Sequence, residues 1–137
     1  MANIVRNRVI VTDASSEEII KIFDMFKQYI SWENTIKQID NTLLFETAWS
    51  ALHKTSLKHI SFSANRDAKI QYTYAEENHE PFQGQGDYIF KEGNIIFEEV
   101  PDNDSIRSWE IFFEMWPGWK GLYIFDGTTY QRDWDKE

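Results

Sequence analysis

KIQYTYAEENHEPFQGQGDYIFKEGNIIFEEV, residues 69–100, contains runs with the composition of β-strands, separated by two breaks. Ile70, Tyr72 and Tyr74 fall on one side of an extended chain, because side chains alternate along a strand. GDYIFKEGNIIFEEV reads as a hairpin closed near Gly93-Asn94. The intervening EENHEPFQGQG is acidic and carries one histidine, one proline and two glycines. It reads as a solvated hairpin tip whose Gly84 and Gly86 permit a wide turn or a bulge.

Upstream, NIVRNRVIVTD is rich in β-branched residues and runs into the acceptor cluster Asp13, Ser15 and Ser16, a strand leading into a helix. Ser15 with Glu18 has the spacing of a capping box. Ile19, Ile22, Phe23, Phe26, Tyr29 and Ile30 then recur at helical spacing. TIKQIDNTLLFETAWS suggests a hairpin with Asp40-Asn41 at its tip, and Ser50 offers an N-cap for a second helix over ALHKTSLKHISF. Downstream, Ile106, Trp109, Phe112, Phe113 and Trp116 repeat with a period near 3.6, with Asp104 or Ser105 at the start and Pro117-Gly118 at the end. The tail forms a hairpin at Asp126-Gly127. The order β-α-β-β-α-β-β-β-α-β-β predicts an α+β fold. Its sheet is mostly antiparallel, with two or three helices packed on one face and an extra C-terminal hairpin, all in a single domain over 1–137.

Composition removes several classes of function. The chain has no cysteine, which excludes thiolate nucleophiles, cysteine-ligated zinc and disulfides. Its net charge of −9 opposes direct nucleic-acid binding. No run approaches the roughly 18 apolar residues of a membrane span, and the N-terminus lacks the pattern of a signal peptide. A cytoplasmic protein is expected.

Three stretches, MANIVRNRVIV, LLFETAWSA and YAEENHEPFQGQGDYIFKEG, together resemble the YubB-type family of phages and conjugative plasmids. The matching positions are Asn3, Asn7, Val9, Phe45, Thr47, Trp49, Ser50, Tyr74, Glu76, Phe82, Gly84 and Gly93. Ala51-Leu52 departs from the family's prolines, and the segment from Ser105 onward lies outside the match. The resemblance implies a ferredoxin-like domain, a mobile-element origin and a bacterial host cytoplasm.

The candidate binding residues are Trp49, Glu76, Glu77, Glu80, Asp87, Glu98, Glu99, Asp102, Trp119 and Trp134. Trp49 at a strand end is either a corner residue or an exposed anchor. Glu98, Glu99, Asp102 and Asp104, together with residues 76–80 and the C-terminal DWDKE, form an acidic docking face if they gather on one side. Trp119 and Trp134 are candidates for exposure or a homodimer contact. No nucleophile elbow, dinucleotide loop or zinc pattern is present, so no catalytic residue, metal or cofactor is assigned. His53 and His59 are six apart, unsuited to a shared metal on a helix.

The expected function is a small acidic interaction module of a phage or mobile element. It would bind and modulate a host or defence protein, nucleic-acid mimicry being one mode. Its partner would be basic or nucleic-acid-handling, and neither nucleic acid nor membrane would be bound directly. The alternatives are a divalent-metal-dependent hydrolase or nucleotide-acting enzyme using the 76–87 loop, and a homo-oligomeric scaffold.

Overall fold

The alternation of the first strand sets the architecture. In β1 (Ile4–Thr12), Val5, Asn7, Val9 and Val11 are buried while the residues between them are partly exposed. The structure is a computed structural model that describes residues 3–79 and 84–133. The remaining strands of the main sheet are β2 (Lys37–Ile39), β3 (Thr42–Ala48), β4 (Lys69–Glu76), β5 (Gln85–Lys91) and β6 (Asn94–Glu99). They form a six-stranded sheet of order β2-β3-β1-β4-β5-β6, antiparallel at every pairing.

Helix α1 (Ser16–Lys27) joins β1 to β2, and α2 (Lys54–Ser63) joins β3 to β4. The first four strands and two helices therefore follow the β-α-β-β-α-β order of a ferredoxin-like unit. The β5–β6 hairpin then widens the sheet beyond β4. Register holds Val9 between Leu43 and Tyr72, and Asn7 between Phe45 and Tyr74. A slip of one residue would turn this buried set to the other face.

Helices α1 and α2 cover the face carrying Val5, Val9, Leu43, Phe45, Ile70 and Tyr72. Ile22, Phe23 and Phe26 of α1 are fully buried there, each contributing about 2–3 kcal/mol by area. One polar network crosses this core. The Tyr72 hydroxyl donates to Asn7 Oδ1 and accepts the Leu52 N–H at 2.9 Å. Asn7 Nδ2 donates to the Val5 carbonyl and to Thr47 Oγ1, each at 3.1 Å. Desolvation pushes the Tyr72 phenol far above its ordinary range.

Two helices share one face, as expected, but the third takes the other. Helix α3 (Ile106–Met115) lies over β1, β4 and β5 on the opposite side, where Trp109, Ile111, Phe112, Phe113, Met115 and Trp116 build a second core on Ala75. The first face is already filled by α1 and α2, which leaves the other to the apolar side of α3. Trp116 Nε1 donates to the Ala75 carbonyl at 2.9 Å, and Arg6 Nη1 donates to the Met115 carbonyl at 3.1 Å. The C-terminal hairpin, β7 (Tyr123–Phe125) and β8 (Tyr130–Arg132), packs on α3 through Tyr123 and Tyr130. The Asp126 carboxylate shapes its turn, accepting the N–H groups of Thr128 and Thr129 at 2.9 and 2.8 Å.

Several local expectations shift. Ser15 caps α1 by accepting the Glu18 N–H at 3.2 Å. The Glu18 carboxylate, however, reaches across to the Asn65 N–H at 2.6 Å rather than closing a capping box. Tyr29 lies beyond the end of α1 and is exposed. Ser50 caps nothing, because α2 starts at Lys54 with His53 at its N-cap. The Ser50 carbonyl instead accepts the Thr47 hydroxyl at 2.6 Å. Glu92 and Gly93, with φ of 53° and 78°, form the turn between β5 and β6, one position earlier than the sequence suggested. Gly84, at φ 71°, turns the chain, but Gly86 has no positive φ and is paired within β5.

Candidate interaction surface

The eight described candidate residues do not gather on one side. Glu76 is fully buried at the end of β4, and the Glu77 carboxylate accepts the Ile4 N–H at 3.1 Å. Asp87 is buried under α3's side of the sheet, accepting Thr73 Oγ1 at 3.0 Å and Gln71 Nε2 at 3.1 Å. Glu76 and Asp87 are therefore corrected from docking residues to interior ones, since a buried carboxylate presents no charge to a partner in solvent. Glu80 and Trp134 lie outside the described residues. Trp119 is half-buried, edge-on to Trp116 at 6.3 Å, with the Arg132 guanidinium 5.2 Å from its ring. Its aromatic surface is largely used within the chain.

His79 follows the same inward trend. Its ring stacks on Trp109 at 3.5 Å, meets Phe112 edge-on, and lies 2.9 Å from Ser108 Oγ through Nε2. The Ser108 hydroxyl in turn donates to Gln85 Oε1. Desolvation holds this imidazole down to about 4, against 6.5 for an ordinary histidine. The unfolded chain therefore protonates first. The stability that the neutral ring contributes is complete above pH 6.5 and is lost progressively as pH falls from 6.5 towards 4. After allowance for residual solvent contact the loss is on the order of 2 kcal/mol. Melting curves between pH 7 and 4 are expected to fall more steeply for the native chain than for His79→Gln; parallel slopes would contradict this.

Among the described residues no group of three or more histidines and carboxylates stands close enough to hold a metal ion. Glu76 and Asp87, the loop's candidate ligands at its two ends, sit on opposite faces of the sheet. Both remaining histidines, His53 and His59, are exposed around α2.

Trp49 is half-exposed, at 50%, and stands just past β3 with φ 69°, a conformation that costs a bulky residue about 1–2 kcal/mol. Its N–H donates to the Asn3 carbonyl at 2.8 Å, and the Thr47–Ser50 bond tightens the corner. Beside it a cleft of about 290 Å³ is lined by Tyr29, Trp32, Leu52 and several hydroxyls. A second groove, of about 450 Å³, runs between β1–β3 and the end of α3. Its arginines are already engaged: Arg6 by Glu46, and Arg8 by Glu114 at 2.6 Å and by Thr73.

Of the candidates, Glu98, Glu99 and Asp102 lie close along the chain at the C-terminal end of β6, with Glu98 opposite Tyr88 on the α2 side of the sheet and Glu99 opposite Asp87 on the α3 side. Glu98 accepts Lys54 Nζ at 3.1 Å, and this contact raises the lysine above its ordinary range. Glu99 accepts Arg107 Nε at 2.7 Å, which ties the first turn of α3 to β6 and raises the guanidinium in turn. Asp102, Asp104 and Glu110 are exposed around this junction. Glu98, Glu99, Asp102, Asp104 and Glu110 thus outnumber the local cations Lys54 and Arg107, and the region stays acidic despite the ion pairs.

The apolar part of this surface is the part that the sequence hides. Ile96, Phe97, Val100 and Ile106 are exposed at 54%, 42%, 50% and 41%. Helical spacing groups Ile106 with the buried stripe of its helix, but it occupies the first position of α3 and faces solvent. The available signal is the consecutive Ile95, Ile96 and Phe97, which break strict alternation. The structure resolves that run as a register shift against Ile89 and Phe90.

Compared with known proteins, the chain matches no family model, no curated protein and no solved structure. Among the described residues no helix is long and apolar enough to cross a membrane.

Proposed function

We propose that this chain is a protein-interaction module that binds a basic partner through the junction of β6 with α3. The observation that carries the reading is the coincidence there of exposed apolar side chains, Ile96, Phe97, Val100 and Ile106, with a surplus of carboxylates. An apolar centre supplies affinity on desolvation, and a charged rim steers encounter and rejects acidic competitors. Trp49 belongs to a different surface, since β1, β4 and β5 separate β3 from β6. A bacterial host protein as the partner of a phage or mobile-element product remains part of the proposal and rests on the motif resemblance alone.

Reversal of charge at matched sites tests this. Asp102→Lys, Asp104→Lys and Glu110→Lys together are expected to weaken binding of a cationic peptide of lysine and valine at least tenfold. Reversal of the exposed Glu17, Asp24 and Glu33 changes net charge equally and is expected to cost far less. Trp49→Ala should leave affinity within about twofold, and binding by the native chain should weaken with salt, because exposed charges are screened beyond about 8 Å at 0.15 M. Equal losses in the two triple variants would reduce the effect to net charge and remove the proposed surface.

A further inference from the structure

We infer that the partner segment binds as an added strand along the outer edge of β6, as an extended chain carrying lysine or arginine among apolar residues. The inference rests on the interaction reading above and specifies its geometry. Strand β6 ends the sheet, and among the described residues no strand pairs with its outer side. An open edge presents a row of main-chain donors and acceptors that an extended peptide satisfies directly. Six residues, Asn94–Glu99, span about 20 Å, and the register shift that leaves Ile96 unmatched divides this edge into two short runs on which an added strand pairs. The opposite edge, β2, has only three residues and offers too short a ladder.

Side chains decide the occupant. Open edges invite a second copy of the same strand unless charge prevents it. A two-fold pairing of β6 with itself would bring the acidic β6–α3 junctions of two chains, each of net charge −9, within about a strand length of one another, where they repel. The carboxylates that reject a second copy favour a basic strand. Ile96 and Phe97 provide the apolar contact that such a strand covers.

The probe is a fluorescent decapeptide of alternating valine and lysine, titrated against the full chain by anisotropy. It is compared with two versions N-methylated on either alternate set of backbone nitrogens, and with a glutamate-for-lysine version. The parent peptide should bind in the micromolar range, at least one N-methylated version at least tenfold more weakly, and the acidic version not at all. Ile96→Lys in the protein should weaken the parent at least tenfold without lowering the melting temperature. If both N-methylated peptides bind as well as the parent, strand addition is overturned while docking by charge stands; if no peptide binds, both readings fall. Sedimentation showing a dimer that Ile96→Lys dissolves would overturn the inference in favour of a second copy.

Discussion

Trp109→Ala is expected to lower the stability of the fold by about 4 kcal/mol, a fall in melting temperature of roughly 12–16 °C for a chain of this size. Trp109 is the hub of the second core. Its ring stacks on His79 at 3.5 Å and packs against Phe112, Phe113, Tyr123 and Tyr130 at centroid distances of 5.0 to 5.8 Å. Its Nε1 donates to Thr129 Oγ1 at 3.1 Å, binding helix α3 to the loop of the terminal hairpin. Truncation would leave a cavity among aromatic rings too rigid to collapse into it, and would release the hairpin that those rings anchor. Thermal melting, with near-ultraviolet dichroism to report aromatic order, checks this. A loss below about 1 kcal/mol would show that the hairpin and His79 are held by something other than this ring.

Gly86→Val is expected to cost on the order of 3 kcal/mol, for the opposite reason, overpacking. Gly86 lies directly across from Tyr74 in the β4–β5 ladder. A Cβ at this position would come within 2.5 Å of Tyr74 Cε1 and 2.7 Å of its hydroxyl oxygen. The tyrosine cannot step aside, since its ring is buried between Tyr72 at 5.9 Å and Tyr88 at 6.3 Å. Glycine here is a matter of space beneath an aromatic ring. At Gly84, with φ 71° and open space where a Cβ would stand, it is a matter of backbone conformation. Gly84→Val is therefore expected to cost less than Gly86→Val. The reverse order in chemical denaturation would contradict the packing described.

The pattern of the chain carried the fold further than the site. Strand alternation in β1 and β4, the helical stripes of α1 and α3, and the Asp126-Gly127 turn are local signals, so element order and the antiparallel sheet were legible. Which face α3 would cover was not, because its apolar stripe is equally suited to either side and the choice depends on α1 and α2 already occupying the first. The acidic loop misled for a related reason. Glu76 and Asp87 look solvated in sequence, yet strand pairing carries them into the interior, where hydrogen bonds from Thr73 and Gln71 accommodate Asp87. His79 has the chemistry of a ligand and is a packing residue on Trp109. Glu98, Glu99 and Asp102 were legible as a group because they are neighbours in the chain, whereas the exposure of Ile96 and Phe97 follows from β6 being the last strand, a property of the whole sheet, and that of Ile106 from its place at the start of α3.

Amide hydrogen exchange across the chain, with and without the valine–lysine peptide, locates the contact directly. Binding at β6 predicts slowed exchange confined to residues 94–99 and the first turns of α3, with residues 37–49 on the other side of the sheet unchanged. Protection centred on 37–49, or spread evenly over the acidic surface, would contradict it.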